Sequence, residues 1–215
     1  MVGAVIIKSK AMKRINNLFE EVIQFSNLYS AYKKAIKGTR KNNESLSFSF
    51  NYENELINLQ NELITASYNP GLYRNFNIYE PKERMISIAP FRDRVVHHAI
   101  INILEPIYEK IFIYDSYATR KDKGTHKAIL RAQDFIKNNN YYLKSDIKKY
   151  FPTINHDILL NIVKSKIKDK NLLFLIERII RNGFDIGLPI GNLTSQFFAN
   201  VYLDKFDHFV KDFLQ

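Results

Sequence analysis

The 215 residues are 46% hydrophobic and 25% charged, a balance that suits one compact unit or two small lobes and excludes a low-complexity or disordered chain. The formal charge of +10 points to a polyanionic partner, and 13 tyrosines and 16 phenylalanines add ring faces that can stack on bases, although most such rings belong in a core. Without cysteine, a disulfide framework and a thiolate metal site are excluded, in keeping with a cytoplasmic protein, and no apolar run reaches the length of a membrane span.

The opening, MVGAVIIKSK, is apolar before it is basic, the reverse of a secretory signal. Residues 1–11 read as an N-terminal tail or an upstream start ahead of Met12. Between 15 and 37 apolar residues recur at helical spacing (Leu18, Val22, Phe25, Tyr29, Tyr32, Ile36), and Gly38 ends the predicted helix. GTRKNNES, 38–45, reads as a basic loop. A second helix starts after Asn51, sets Leu56, Leu59 and Leu63 on one face and stops before Asn69-Pro70-Gly71.

The period then drops to two. Phe76 and Ile78, then Ile86 and Ile88, alternate with polar neighbours around a turn at Glu80-Pro81-Lys82-Glu83, the pattern of a β-hairpin. A helix over 93–112 turns Val96, Ile100, Ile103 and Ile107 inward, with Pro106 as a kink or dividing point. The polar loop TRKDKGTH leads to a helix over 127–137 and then to a short β-type run, YYLKSDIKKYF, that ends in a turn at Pro152. Helices over 156–168 and 172–181, the loop GFDIGLPIGN and a last helix over 193–214 complete the pattern. On that last helix Phe206, Phe209, Val210 and Phe213 form the apolar side, and Asp204, Asp207 and Asp212 the solvated one. With no repeat and no clear linker, the fold class is α+β, helices packed on a small antiparallel sheet.

Few residues suggest chemistry individually. Asp146 lies at the end of a hydrophobic run beside a tight turn, where a carboxylate can hold a hard divalent cation; a surface or helix-capping aspartate is the plainer alternative. Phe151, five residues on, would set a large ring beside whatever that metal holds, or serve as core. Lys82 and Arg84, two apart on a strand, project to one side near the hairpin tip and can grip a triphosphate, or form a solvated tip. In LPIGNLTSQ, 188–196, Gly191 admits a ligand close to the backbone, while Thr194 and Ser195 suit helix capping almost as well.

The order and spacing of four segments is far more specific. SYATRKDKGTHKAI (116–129) resembles the template-side motif of group II intron and other bacterial reverse transcriptases, and LKSDIKKYFPTINH (143–156) resembles the first catalytic motif of that superfamily. LPIGNLTSQFFAN (188–200) resembles the motif beneath the incoming nucleotide, and PKERMISIAPFRDRVVHHAI (81–100) the fingers motif that precedes them. The resemblance runs from Met12 to the end of the chain and implies the fingers and partial palm of a right-hand polymerase, with 12–140 as fingers and the start of the palm and 141–215 as partial palm. Most members carry Gln before the glycine and Ser-Pro at the end of the third motif, where this chain has Ile190 and Ser195-Gln196. That pattern, with the opening MKRINNLFEEVIQFSNLYSAYKKAIKG, resembles diversity-generating retroelement enzymes, which copy a template RNA while miscopying adenines.

By matched position, the resemblance makes Asp146 the first Mg2+-binding aspartate, with the Ile147 carbonyl as a further ligand. Phe151 becomes the steric gate against ribonucleotides, and Lys82 and Arg84 hold the deoxynucleoside triphosphate. Ile190, Gly191 and Gln196 line the nascent base pair, Ile190 in place of a hydrogen-bonding Gln. Arg120, Gly124 and His126 follow the template track. Asn155, often Asp in the family, is expected to be a structural difference. The implied partners are template RNA, a DNA primer or product and the nucleotide, with a small basic accessory protein. One requirement is unmet: two-metal phosphoryl transfer needs carboxylates that bridge both ions, supplied in the family by a Y-x-D-D hairpin, and these residues contain no adjacent Asp pair. The sequence is therefore expected to stop short of that hairpin and to be inactive alone. The alternatives are a non-catalytic nucleic-acid-binding remnant and an antiviral-defence reverse transcriptase.

Overall fold

The computed structural model describes residues 14–37, 43–79 and 81–214; the predicted tail at 1–11, the helix stop at Gly38 and Glu80 of the hairpin turn lie outside the described residues. The N-terminal periodicity yields two helices rather than the single one expected, α1 (Leu18–Ile23) and α2 (Phe25–Ile36), because Gln24 adopts an extended ψ of 133° between them. The break leaves carbonyls without helical partners, and side-chain amides supply donors: Asn27 Nδ2 to Val22 O at 2.9 Å and Gln60 Nε2 to Ile23 O at 2.7 Å. The break also resets the helical phase. In α2 Leu28, Ala31 and Ala35 are buried, whereas Phe25, expected inside, is exposed.

Part of the stretch read as a basic loop is helical. α3 (Asn43–Phe50) is anchored by Phe48, whose ring lies 5.1 Å from that of Phe91, and by Glu44, which accepts the Phe91 N–H. α4 (Tyr52–Ile64) buries Leu56, Leu59 and Leu63 as its spacing predicts. The sheet is one antiparallel hairpin, β1 (Arg74–Ile78) and β2 (Arg84–Ile88), in the register Phe76↔Ile86.

α5 (Phe91–Tyr108) is the central element, packed against α1, α2, α3 and α10 (Leu193–Phe213). Apolar residues on several faces of α5 are buried, among them Ala99 and also Val95, Val96, Ile100 and Leu104, the last four each worth about 1.5–3 kcal/mol relative to exposure. Pro106 does not divide α5, since a proline two residues from the end forfeits a single ladder bond.

α6 (Thr125–Asn138), in contrast, has no buried residue. The predicted β-type run that follows is not a strand: 139–149 is irregular and exposed, because a strand exists only through a paired neighbour and nothing among the described residues pairs with it. A single turn, α7 (Tyr150–Thr153), then leads into α8 (His156–Lys164) and α9 (Lys170–Ile180). Asn155 caps α8 by accepting the Ile158 N–H at 3.0 Å, a structural role as expected.

On α10 the expected faces hold only in part towards the C-terminal end, where Asp212 is exposed and Phe209 half-buried. Asp204 is 8% exposed, whereas Phe206, Val210 and Phe213 are exposed. Phe197, Phe198 and Val201 set the packed face earlier in the helix, and His208 extends it with a 2.9 Å hydrogen bond to the Ile111 carbonyl. One hydrophobic core takes in residues from Leu18 to Val201, on both sides of position 140. No helix among the described residues is long and apolar enough to cross a membrane.

One buried carboxylate joins the two ends of this core. Asp169, 7% exposed, accepts the Leu172 N–H at 3.1 Å as N-cap of α9 and the Phe19 N–H of α1 at 2.9 Å. The neighbouring Ile15 and Ile167 form a parallel bridge beside it. Asp169→Ala orphans two buried donors and is expected to cost about 1–3 kcal/mol in urea unfolding, with Asp169→Asn recovering part of the loss. Burial, with help from the charges of His98 and Arg94, holds His97 at about 3, and burial foremost holds His98 at about 4. The folded chain thus refuses protons that the unfolded chain takes up near pH 6.5, so stability should fall as pH drops from 6.5 towards 4. His97→Phe, compared by thermal melts across that window, should show a shallower decline.

Candidate active site

The loop 187–192 is where separated parts of the sequence meet. Gly187 has a φ of 86°, and a Cβ there would lie 2.7 Å from the Pro152 carbonyl oxygen. Only glycine accommodates both conditions. The close approach permits two main-chain bonds, Gly187 N–H to Ile154 O and Leu188 N–H to Phe151 O, each 2.9 Å. His156 Nε2 adds a third, to the Gly187 carbonyl at 2.6 Å.

Three residues further on the same loop is joined to the hairpin. Gly191 has a φ of 115°, and a Cβ would meet Ile86 Cγ2 at 2.8 Å. Ser87 N–H donates to the Ile190 carbonyl at 2.8 Å. The Asn192 amide completes the join, donating to Ser87 O at 2.8 Å and accepting the Ala89 N–H at 3.2 Å. Asn192 is the N-cap residue of α10, yet its side chain holds β2 instead of capping the helix. Thr194 and Ser195 are buried in the first turn.

These bonds bring several predicted site residues to one loop. Phe151, partly buried against the core, is bonded to Leu188 through its carbonyl, and Ile190, half-buried, is bonded to β2. Arg84 opens β2 opposite Ile78, three residues from Ser87 and so about 10 Å along the strand from the join. Arg84 and Lys82 are both exposed; Lys82 lies in the turn before β2 rather than on the strand as expected, so alternation along a strand does not set their common side. Gly191 and Gln196 are exposed. Asp146 and Ile147 lie in the irregular segment ahead of α7, Asp146 exposed and, five residues before Phe151, within about 17 Å of it along the chain.

The three template-side residues differ from one another. Arg120 is turned inward, its side chain 5% exposed. Its guanidinium holds the Glu109 carboxylate at 2.8–3.2 Å and donates to the Ile113 and Ser116 carbonyls, so it secures the loop between α5 and α6 and has little left to offer a ligand. Gly124 has a φ of 103° as N-cap residue of α6, and a Cβ there would meet nothing within 4 Å. Backbone conformation, not close approach, selects glycine here. His126 is exposed on α6.

Sequence reasoning missed Gly187 and Asn192. The signal was present in GFDIGLPIGN, where two glycines flank Leu-Pro and an Asn stands at a helix start, but helix capping explains an Asn there equally well. Among the described residues no group of three His, Asp or Glu side chains is gathered in a way that could hold a metal ion. Asp146 alone fits a Mg2+ ion that keeps water and substrate phosphates as its other ligands, not a pair of ions.

The solved structures that resemble this fold include a partial Cas6-RT-Cas1--Cas2 complex, with a TM-score of 0.58 and 22% identity, covering 91% of this chain and 35% of the other. Among curated proteins, group II intron-encoded protein LtrA of Lactococcus lactis subsp. cremoris is 28% identical over 200 residues, 87% of this chain and 33% of LtrA. Protein YkfC of Escherichia coli K12 is 30% identical over 176 residues, 74% of this chain and 46% of YkfC. The putative COX1/OXI3 intron 1 protein of Saccharomyces cerevisiae is 29% identical over 171 residues, 74% of this chain and 20% of that protein. The chain thus spans less than half the length of each of these relatives. Residues 76–214, well over half of the chain and including the joined loop and all but the first two residues of the hairpin, match the family described as reverse transcriptase (RNA-dependent DNA polymerase), and the chain belongs to that family, related to the group II intron-encoded proteins.

Proposed function

We propose that this domain serves template-directed deoxynucleotidyl transfer on an RNA template, in an error-prone form of the diversity-generating type. The observation that carries the proposal is the double join at 187–192, which ties the loop bearing Ile190 to both the hairpin of Lys82 and Arg84 and the turn of Phe151. In this reading the two exposed cations grip the triphosphate, and Phe151 closes against the sugar. Asp146, with the Ile147 carbonyl, would hold a Mg2+ ion, which when bound supplies charge stabilisation to the phosphates. Ile190 presents an apolar, half-buried side chain where most of the family has a hydrogen-bonding amide. Losing that polar check loosens discrimination between paired and mispaired bases. The proposed macromolecular partners are template RNA and a DNA primer or product, with a small basic accessory protein, in the cytoplasm.

A second reading, a non-catalytic nucleic-acid-binding module, is favoured by one feature: the 215 residues contain no adjacent aspartates to bridge two ions. We propose accordingly that the 215-residue polypeptide by itself does not polymerise. Supplied with a primed RNA template, labelled deoxynucleotides and Mg2+, it should incorporate no label above background; incorporation that Asp146→Ala abolishes would show it complete. In a longer polypeptide that supplies the paired aspartates, Ile190→Gln should lower the misincorporation frequency opposite template adenine several-fold, read by sequencing the products. An unchanged error spectrum would remove Ile190 from the account.

A further inference from the structure

Leu188 holds the main chain of the turn that carries Phe151, but a bond to a carbonyl does not fix where a ring stands. Tyr150, one residue earlier, supplies what the main chain leaves open. Its hydroxyl donates to the Ala199 carbonyl of α10 at 2.7 Å, and its ring lies 5.8 Å from that of Phe151 at an interplanar angle of 72°, edge to face. The ring of Tyr202, also on α10, stands 6.5 Å from that of Tyr150. Tyr150 and Phe151 are both half-buried, so the pair lies at the margin of the core, the first ring anchored and the second partly open to solvent.

The backbone agrees. Lys149, immediately before Tyr150, has a φ of 53°, the left-handed region that a residue with a Cβ enters at a cost. Such conformations persist where surrounding bonds over-determine them, and they cluster where a side chain must be aimed. Thr153 Oγ1 closes the turn on itself, donating to the Lys149 and Tyr150 carbonyls at 3.1 Å each, whereas the Tyr150 hydroxyl ties the turn to a separate element 49 residues away. Burial foremost, with Tyr202 and Asp207 adding to it, pushes the pKa of that hydroxyl up, so it keeps its proton and remains a donor. The next residue on α10, Asn200, serves a different segment, its Nδ2 donating to the Ala118 carbonyl of the loop before α6 at 2.7 Å.

We infer, resting on the reading in which Phe151 closes against the sugar, that Tyr150 is a positioning residue for sugar selection: hung from the Ala199 carbonyl, its ring fixes the stance of Phe151 and so the clearance left for a ribose 2′-hydroxyl. Exclusion by a clash works only when the excluding group cannot yield, and a half-buried phenylalanine has no polar atom with which to hold itself. The adjacent ring supplies a wall, and its hydrogen bond sets the direction of that wall. Removing the hydroxyl leaves both rings apolar and packed but frees Tyr150 to rock, and Phe151 with it. A ribonucleotide then meets a softer barrier, while a deoxynucleotide meets the same surface.

The 215-residue chain, with Mg2+ and a primed RNA template, is titrated with a deoxynucleoside triphosphate and with its ribonucleotide counterpart, and the ratio of the two affinities is compared across variants, with melting temperatures alongside. Wild type should prefer the deoxynucleotide, and Phe151→Ala should lose that preference. Tyr150→Phe should lower the ratio about five-fold, the weight of one net hydrogen bond, by tightening ribonucleotide binding with deoxynucleotide affinity nearly unchanged. Asn200→Ala, which frees the loop before α6 from the same helix, should keep the wild-type ratio. Tyr202→Leu, which takes away a ring beside Tyr150 and spares its hydroxyl, should move the ratio in the same direction as Tyr150→Phe and carries the test should that variant not fold. A wild-type ratio in folded Tyr150→Phe, whatever its melting temperature, with Phe151→Ala losing the preference, would overturn the positioning role and leave the gate intact. An equal fall in Asn200→Ala would do the same, since it marks a general loosening of α10. A full preference in Phe151→Ala, or no nucleotide affinity in wild type, would overturn the gate and the positioning role with it.

Discussion

The absence of a Cβ at two positions, Gly187 and Gly191, underlies the arrangement of the whole site. Main chain from 151–156 on one side and from 86–89 on the other comes into hydrogen-bonding range of a six-residue loop, which leaves no room for a side chain at either glycine. The bonds that result are mostly main chain to main chain, so they fix the relative position of hairpin, turn and α10 whatever the surface side chains do. His156 and Asn192 are the exceptions: the imidazole reaches the Gly187 carbonyl, and the buried Asn192 amide donates to Ser87 of β2 and accepts the N–H of Ala89 just beyond it.

The core supports that join through α5, which carries polar groups inside as well as apolar ones. Asp93, buried near its start, accepts the Tyr68 hydroxyl and the Gly71 N–H, each at 2.7 Å, and burial raises its pKa above the ordinary carboxylate value despite those bonds. Satisfied groups of this kind specify how helices seat on one another, because a shifted packing would leave them without partners. Asp169 does the same at the far side, where it fixes the start of α1 against the start of α9. Arg94 differs from both: its buried Nε and Nη2 have no acceptor among the described residues.

Where periodicity met a single packed face, the sequence was legible. Leu56, Leu59 and Leu63 lead directly to α4, and the alternation of Phe76, Ile78, Ile86 and Ile88 to the hairpin, although there Phe76 is exposed and the buried residue is Ser87. The break at Gln24 was not legible, because it depends on Asn27 and Gln60 arriving from elsewhere in the chain to satisfy the exposed carbonyls. The faces of α10 were misread for a related reason. Its phenylalanines lie on more than one side, and which side is covered follows from where α5 and the Ile111 carbonyl sit. Residues 141–147 have strand composition and no strand, since β structure belongs to a pair of segments and not to one.

The site divides along the same line. Family membership, the identity of the hairpin cations, the aromatic at 151 and the Ile-Gly pair at 190 were all present in the order and spacing of short segments, since residue type and separation are properties of the chain. That Arg120 is spent on Glu109 and two carbonyls, and that Asn192 holds a strand instead of capping its helix, were settled only by folding. Each depends on which groups lie within hydrogen-bonding distance across tens of residues of intervening chain, and a linear sequence carries no record of those distances.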